Sequence, residues 1–349
     1  MSEQTCPSQP PTFPTGKLPP EVLGALLSRY AHRDPRIVVG PSIGEDATVL
    51  DMGERYLVVT TDPITYATDE IGWYAVQVNA NDIATMGATP QWFLATLLLP
   101  AGEADTHSVE QIFAQIDAAA TDLGIVLCGG HTEITPTVNK PVLCGTMIGE
   151  VEKERLVRSS GLRPGDLLLL TKGLAVEATV IIAREKRELL LRFFSESFLD
   201  RCAAYLRSPG IGITQEARIA CETGEIHAMH DPTEGGIATG LREVALASGV
   251  GLEIDASALF LTGESRILCE IFDLDPLGVI SSGALLIGVV PDEAECVRQA
   301  IVSAQIRCDV IGVVRETTFG LKMRRDGELI DLPVFERDEI TKISMKGQE

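Results

Sequence analysis

Four acidic residues of this 349-residue chain stand at turns or element ends rather than along a solvated face. Asp46 lies in Ile43-Gly-Glu-Asp-Ala47, just ahead of an apolar run, and Asp62 directly follows the strand-like stretch Tyr56–Thr61. Asp82 is set in Val76-Gln-Val-Asn-Ala-Asn-Asp-Ile-Ala-Thr-Met-Gly-Ala-Thr-Pro90, and Asp231 opens a Pro-Thr-Glu-Gly-Gly turn. Carboxylates so placed suit Mg²⁺, which takes hard oxygen ligands, commonly one or two carboxylates beside substrate phosphates. Any one of them alone also fits a cap that accepts from nearby backbone amides.

Glycines supply the second set of candidates. Gly129-Gly130, followed by His131, Thr132 and Glu133, lets a backbone approach an anion closely, with the Thr132 hydroxyl as a further donor. The same string also makes an ordinary turn. Gly235-Gly236 leads into a helix and would leave free amides at a positive dipole end, a seat for phosphate. Lys172 follows an apolar strand, where it either neutralises a phosphate or is solvated; Lys17 reads as a surface lysine. His131 and His230 each adjoin a glycine-rich polar turn, which marks them as acid–base or phosphate contacts. Neither a P-loop nor a dinucleotide fingerprint occurs, and no G-x-S-x-G elbow supports nucleophilic hydrolysis.

The elements that must carry these residues read as mixed α/β. Helical spacing runs over Leu18–Tyr30, Gly72–Gly87, His107–Leu123, Ala175–Lys186, Glu188–Leu206, Thr214–Glu222 and Ile237–Ser248. Strands are expected near Ala47–Leu50, Tyr56–Thr61, Trp92–Leu99, Ile125–Cys128, Val142–Glu150, Leu167–Thr171, Leu252–Ile254, Ala284–Val290 and Cys308–Val314. That reading puts Gly129–Glu133 in a loop and makes the stretch 72–87 a half-buried helix. Asn79, Asn81 and Asp82 interrupt its apolar surface, and each buried polar group costs roughly 1–3 kcal/mol unless satisfied. The turn Gly161-Leu-Arg-Pro-Gly-Asp166 is the best boundary. The expected organisation is a flexible proline-rich arm over 1–16, one domain over 17–155 and a second over 156–340, ending in a hairpin or strand plus tail.

Composition narrows the function. Hydrophobic residues make up 45%, enough for full cores, and the net charge of −21 argues against a nucleic-acid partner. Magnesium and backbone amides would still let an acidic protein hold ATP. No apolar run approaches the roughly 20 residues that span a bilayer, and no signal peptide is evident. Eight scattered cysteines without a C-x-x-C pair fit reduced thiols and a cytoplasmic address.

Five segments in order resemble one family. They are Gly44-Glu-Asp-Ala47, Thr61-Asp62, Val78-Asn-Ala-Asn-Asp-Ile-Ala-Thr-Met-Gly-Ala88, Gly129-Gly-His-Thr132 and His230-Asp-Pro-Thr-Glu-Gly-Gly236. Together they look like the signatures of the aminoimidazole ribonucleotide (AIR) synthase-related proteins, nearest the hydrogenase maturation factor HypE. The resemblance implies a two-domain α/β (α+β) fold whose N-terminal domain gives strands to a barrel shared by a homodimer. It implies ATP and Mg²⁺ as cofactors, with Asp46, Asp62 and Asp82 on the metal- and phosphate-binding positions. Asn81 and Gly129, Gly130 and Thr132 fall on nucleotide-contacting segments, Asp231, Gly235 and Gly236 on the cleft-facing turn of the second domain. Asp82, His131 and Lys172 are the expected catalytic groups.

The family's shared chemistry is attack of an amide-type oxygen or another nucleophile on the γ-phosphate, followed by dehydration or cyclisation. The resemblance therefore implies ATP-dependent phosphorylation of an amide- or phosphate-bearing acceptor, either a small molecule or a maturation partner protein. Two alternatives stand beside it: a nucleotide-binding regulatory or scaffold protein without turnover, and a small-molecule kinase like thiamine-monophosphate kinase. HypE ends in a cysteine that carries the carbamoyl group, whereas this sequence ends Lys346-Gly-Gln-Glu349 and its last cysteine is Cys308. Cys6 lies ten residues from Gly16-Lys17, unlike the reactive position of selenophosphate synthetase. Thiamine-phosphate kinase has Ser-Asp at Asn81-Asp82, and AIR synthase has an acid at His131. These departures lead us to expect a HypE-related paralogue without the thiol step.

Overall fold

The computed structural model of the chain describes residues 13, 16, 18–31, 34–42, 44–65 and 69–345. Of the proline-rich arm only Phe13 and Gly16 fall within them; Cys6, Lys17, His32 and residues 346–349 lie outside.

The first half begins with α1 (Pro20–Tyr30), β1 (Ile37–Val39), β2 (Thr48–Asp51) and β3 (Arg55–Ile64). It continues through α2 (Ile71–Thr85), β4 (Thr89–Pro100), α3 (Thr106–Leu123), β5 (Val126–Thr135) and β6 (Val142–Glu152). The six strands form one sheet in the order β1-β2-β3-β6-β4-β5, so β5 is an edge. The helix α2 lies directly on that sheet because β6 has glycine beneath it. A Cβ at Gly145 would collide with the Asn79 side-chain amide, and one at Gly149 with Ile83.

The second half holds β7 (Leu167–Thr171), α4 (Val176–Glu185), α5 (Arg187–Leu190), α6 (Glu196–Ala204) and α7 (Thr214–Thr223). Then come β8 (Ile226–His230), α8 (Gly236–Ser248), β9 (Gly251–Asp255), α9 (Gly263–Phe272), β10 (Leu286–Val289) and α10 (Pro291–Ser303). It closes with β11 (Cys308–Arg315), β12 (Leu321–Arg325), β13 (Glu328–Asp331) and α11 (Thr341–Met345). Its seven-stranded sheet runs β13-β12-β9-β11-β7-β10-β8. Each half thus has its own sheet and apolar core, the mixed α/β two-domain arrangement expected. Val176, Val180, Leu206 and Ile211 of the second half pack into the first core, which welds the two together.

Several local expectations are corrected. The helix α2 is not half-buried: every residue but Val78 is buried, since the sheet, α3 and the second domain cover it from different sides. Asp62 does not follow a strand but lies within β3, which runs on through Pro63 to Ile64. Gly129–Glu133 is not a loop; it is the middle of β5, paired parallel to β4. The long helix expected over Glu188–Leu206 is broken into α5 and α6. Strands β1 and β8 and helices α9 and α10 are additional. Among the described residues no helix is long and apolar enough to cross a membrane.

Asn81 shows how the halves are joined. Its Nδ2 donates to Ile211 O at 2.9 Å, and its Oδ1 accepts from Ile213 N at 2.9 Å, all of it buried. Asn81→Ala would strand one carbonyl and one amide at the junction, at roughly 1–3 kcal/mol each. We expect a loss of about 2–5 kcal/mol in urea unfolding; a midpoint within error of the parent would remove Asn81 as a tie between domains.

Candidate functional site

The strand β3 alternates, so Val58, Thr60, Asp62 and Ile64 share one face while their neighbours turn to the other. That face meets α2, where Asn79 and Asp82 look back at it. Asn79 Oδ1 accepts from Asp62 N at 3.0 Å, and its Nδ2 donates to Ala75 O at 2.8 Å. Asn79 is therefore a splint that fixes the β3 backbone at Asp62. Asp82 is buried, with Oδ2 2.7 Å from the Thr60 hydroxyl.

The loop ahead of β2 brings Asp46 to the same place. Its carboxylate lies 3.0 Å from His230 Nδ1 and accepts from the Ser159 hydroxyl at 3.3 Å. The far side of the His230 ring meets Glu243 Oε2 of α8 at 3.2 Å. His230 ends β8, and Asp231 follows it; ligand atoms of Asp46, His230 and Asp231 all lie within 4.8 Å of one another. The site is thus built from both domains, and His230 is a member that sequence reasoning placed only loosely, as a neighbour of a turn.

Electrostatics define the site's character. Burial raises the Asp82 carboxyl well above the usual range, and the negative charges of Asp62, Asp231 and Asp46 push it further in the same direction. Burial works against a charge on His230, but Asp46 and Glu243 outweigh it and hold the imidazolium well above its ordinary range. The Thr60 hydroxyl carries one proton, yet it faces two acceptors, Asp82 Oδ2 and Asp46 O at 3.2 Å. A protonated Asp82 resolves this: it donates to Thr60, which donates to Asp46 O. The alternative resolution is a cation. The donor set is rich in hard carboxylate oxygen and poor in nitrogen and sulfur, which fits Mg²⁺ better than zinc.

Other expected site residues are placed elsewhere or already occupied. Asn81 is spent on the domain junction described above. Lys172 is buried, pairs with Glu216 at 2.8 Å and donates to Gly212 O, so its charge is committed to the second domain's interior rather than to solvent or phosphate. Most amides at the start of helix α8 are already taken. Gly235 N donates to Asp338 at 2.7 Å, Gly236 N to Thr233 O and Ala238 N to Leu277 O. Asp338 fills the place an anion would take. Gly129, Gly130, His131 and Thr132 lie on β5, and the row Asp62–Gly145–Ala95–Gly130 puts three strand spacings, roughly 14 Å, between that segment and Asp62 in one copy. His131 is exposed and lies 3.6 Å from Glu133. Gly130 has φ +145°, and a Cβ there would strike the Ala95 carbonyl, so close strand packing alone already requires glycine.

Residues 44–151 match the family model for the AIR synthase related protein N-terminal domain, and residues 163–323 match that for its C-terminal domain. The chain belongs to the AIR synthase-related family. Within it the similarity lies toward HypE. The carbamoyl dehydratase HypE of Rhodobacter capsulatus is 31% identical over 259 residues, 71% of this chain and 72% of that protein. A crystal structure of the hydrogenase maturation protein HypE in complex with ATP has the same fold, with a TM-score of 0.71 at 23% identity over 93% of this chain and 97% of the other. HypE in a HypE–HypF complex matches with a TM-score of 0.70 at 22% identity, covering 89% and 99%.

The raised Asp82 carboxyl gives a signed prediction. The folded state holds this proton more tightly than the unfolded chain does. The stability it contributes is present below the ordinary aspartate range and is lost as pH rises through the raised value. With EDTA present, Asp82→Asn should be more stable than the parent at neutral pH, and the gap should widen with pH. Urea midpoints across the pH range measure it, and a gap that shrinks with pH would contradict the reading.

Proposed function

We propose that this chain is an ATP-dependent, HypE-like phosphoryl-transfer enzyme that uses Mg²⁺. The observation that carries the proposal is the convergence of Asp46, Asp62, Asp82 and Asp231 at the domain junction, in a family whose HypE member has been crystallised with ATP. Transfer of a phosphoryl group needs its charge spread and neutralised, and its partners held in line. Mg²⁺ would supply that neutralisation, held by Asp46, Asp62, Asp82 and Asp231. Asn79 fixes the backbone of Asp62, Thr60 orients Asp82, and His230 with Ser159 orients Asp46, so the carboxylates arrive with little freedom left to lose. The acceptor is an amide- or phosphate-bearing group, on a small molecule or on a maturation partner protein. We place it in the cytoplasm, on the pattern of scattered cysteines without a C-x-x-C pair.

The working unit is a homodimer formed along β5. Residues 126–134 of this edge strand are all exposed, among them Val126, Leu127 and Ile134. An unpaired edge with exposed apolar side chains is a template for a second copy. Pairing there would also give Gly129, Gly130, His131 and Thr132 the neighbour they lack in a single copy, the setting in which they would meet nucleotide.

Two measurements test this reading. Calorimetry should show Mg²⁺-dependent ATP binding, and phosphate release with amide-bearing acceptors should fall by about 100-fold or more in Asp82→Asn. A folded sample that binds no ATP overturns the proposal. Sedimentation should show a dimer that Ile134→Lys converts to monomer; a monomeric parent would remove β5 as the interface.

A further inference from the structure

We propose a second ligand site, on the outer side of the second domain, that takes a small phosphate-bearing anion. It is a cavity of about 640 Å³ walled by the segment after β9, the start of α9, the helix α10 and the start of β11. That volume lies within the range of small-molecule sites. In a chain of 29 basic and 50 acidic residues, Arg266, Arg298 and Arg307 converge on this one opening, and Asp309 is the only carboxylate in its wall.

The three arginines are prepared to different degrees. Arg307 lies 3.7 Å over the Phe260 ring and 2.7 Å from Asp309, which fixes its guanidinium while leaving it half exposed. Arg298 is held by Glu295, on its own helix outside the cavity wall, through two bonds of 2.7 and 2.8 Å. Arg266 is exposed, and its guanidinium has no partner among the described residues. One free fork in a wall with two anchored ones suits phosphate, which arginine grips with paired, charge-assisted hydrogen bonds. Arg307 already covers one face of Phe260, the aromatic ring of this wall, and the guanidinium groups favour phosphate over a nucleobase. The ligand is a compact phosphorylated metabolite rather than a nucleotide.

The cavity is separate from the acidic cluster. The row His230–Leu286–Leu170–Asp309 crosses four strands, so about 14 Å of sheet divides the two. This inference does not depend on the nucleotide reading, and its test uses no ATP.

Inorganic pyrophosphate is titrated calorimetrically into the full chain at low salt, with EDTA present so that no metal bridges it to the carboxylates. We expect one saturable site, weakened about tenfold or more by Arg266→Glu and by Arg266→Gln, and unchanged in Asp82→Asn. Arg266 is exposed and unpaired, so both variants should melt as the parent does. Absence of saturable binding, equal binding by the Arg266 variants, or loss of binding in Asp82→Asn would each overturn the proposal.

Discussion

The fold is organised around like charges that have been brought together. Burial raises the cost of ionising Asp82, and the neighbouring charges of Asp62, Asp231 and Asp46 add to it. Such a cluster persists only when the surrounding structure over-determines it. Here the surroundings do so at three of the four positions. Asn79 grips the Asp62 backbone, Thr60 takes Asp82, and His230 and Ser159 take Asp46. Glycines on β6 let α2 approach the sheet closely enough for those bonds to form. Stability has been exchanged for placement, which is the usual signature of a site that binds a compensating charge.

The cluster also explains why the domain junction is so firmly made. Two of its acids lie on the first domain's loop and sheet, one on the buried helix, and Asp231 with His230 on the second domain. A shift of the domains would move carboxylates against one another and break the Asp46–His230–Glu243 chain. Asn81 and the apolar side chains of Val176, Val180, Leu206 and Ile211 hold that relative position. The edge strand β5 is the opposite case: residues 126–134 are exposed, and no such network holds them in place.

Much of this was legible in the sequence. Motif order placed the chain in its family. The apolar runs located most strands, and Leu167–Thr171 agrees residue for residue. Other features were not legible for physical reasons. The glycines and polar residues of 129–133 carry the composition of a turn, and only pairing with β4 makes them a strand. Lys172 reads from its strand-end position as a phosphate contact or a solvated lysine, since its partner Glu216 is 44 residues away, in helix α7. The amides of Gly235 and Gly236 look free because their acceptors, Asp338 and Thr233, come from the tail and the turn itself. Ser159 and Glu243 gave no signal.

The polar residues of α2 show what separates a structural group from a candidate ligand. An asparagine carries donor and acceptor, so two backbone groups can satisfy it completely. Asn79 and Asn81 each find such a pair, and their conspicuous burial is then fully explained by the fold. An ionised aspartate has only acceptors and needs donors or a cation. Asp82 has one hydroxyl, shared with a competing carbonyl, and three neighbouring carboxylates. Its surroundings can satisfy it only by keeping it protonated or by admitting positive charge. Of Asn79, Asn81 and Asp82, only Asp82 has a requirement that the chain's own backbone does not meet, and so of these three it is the one that points to something the protein must bind.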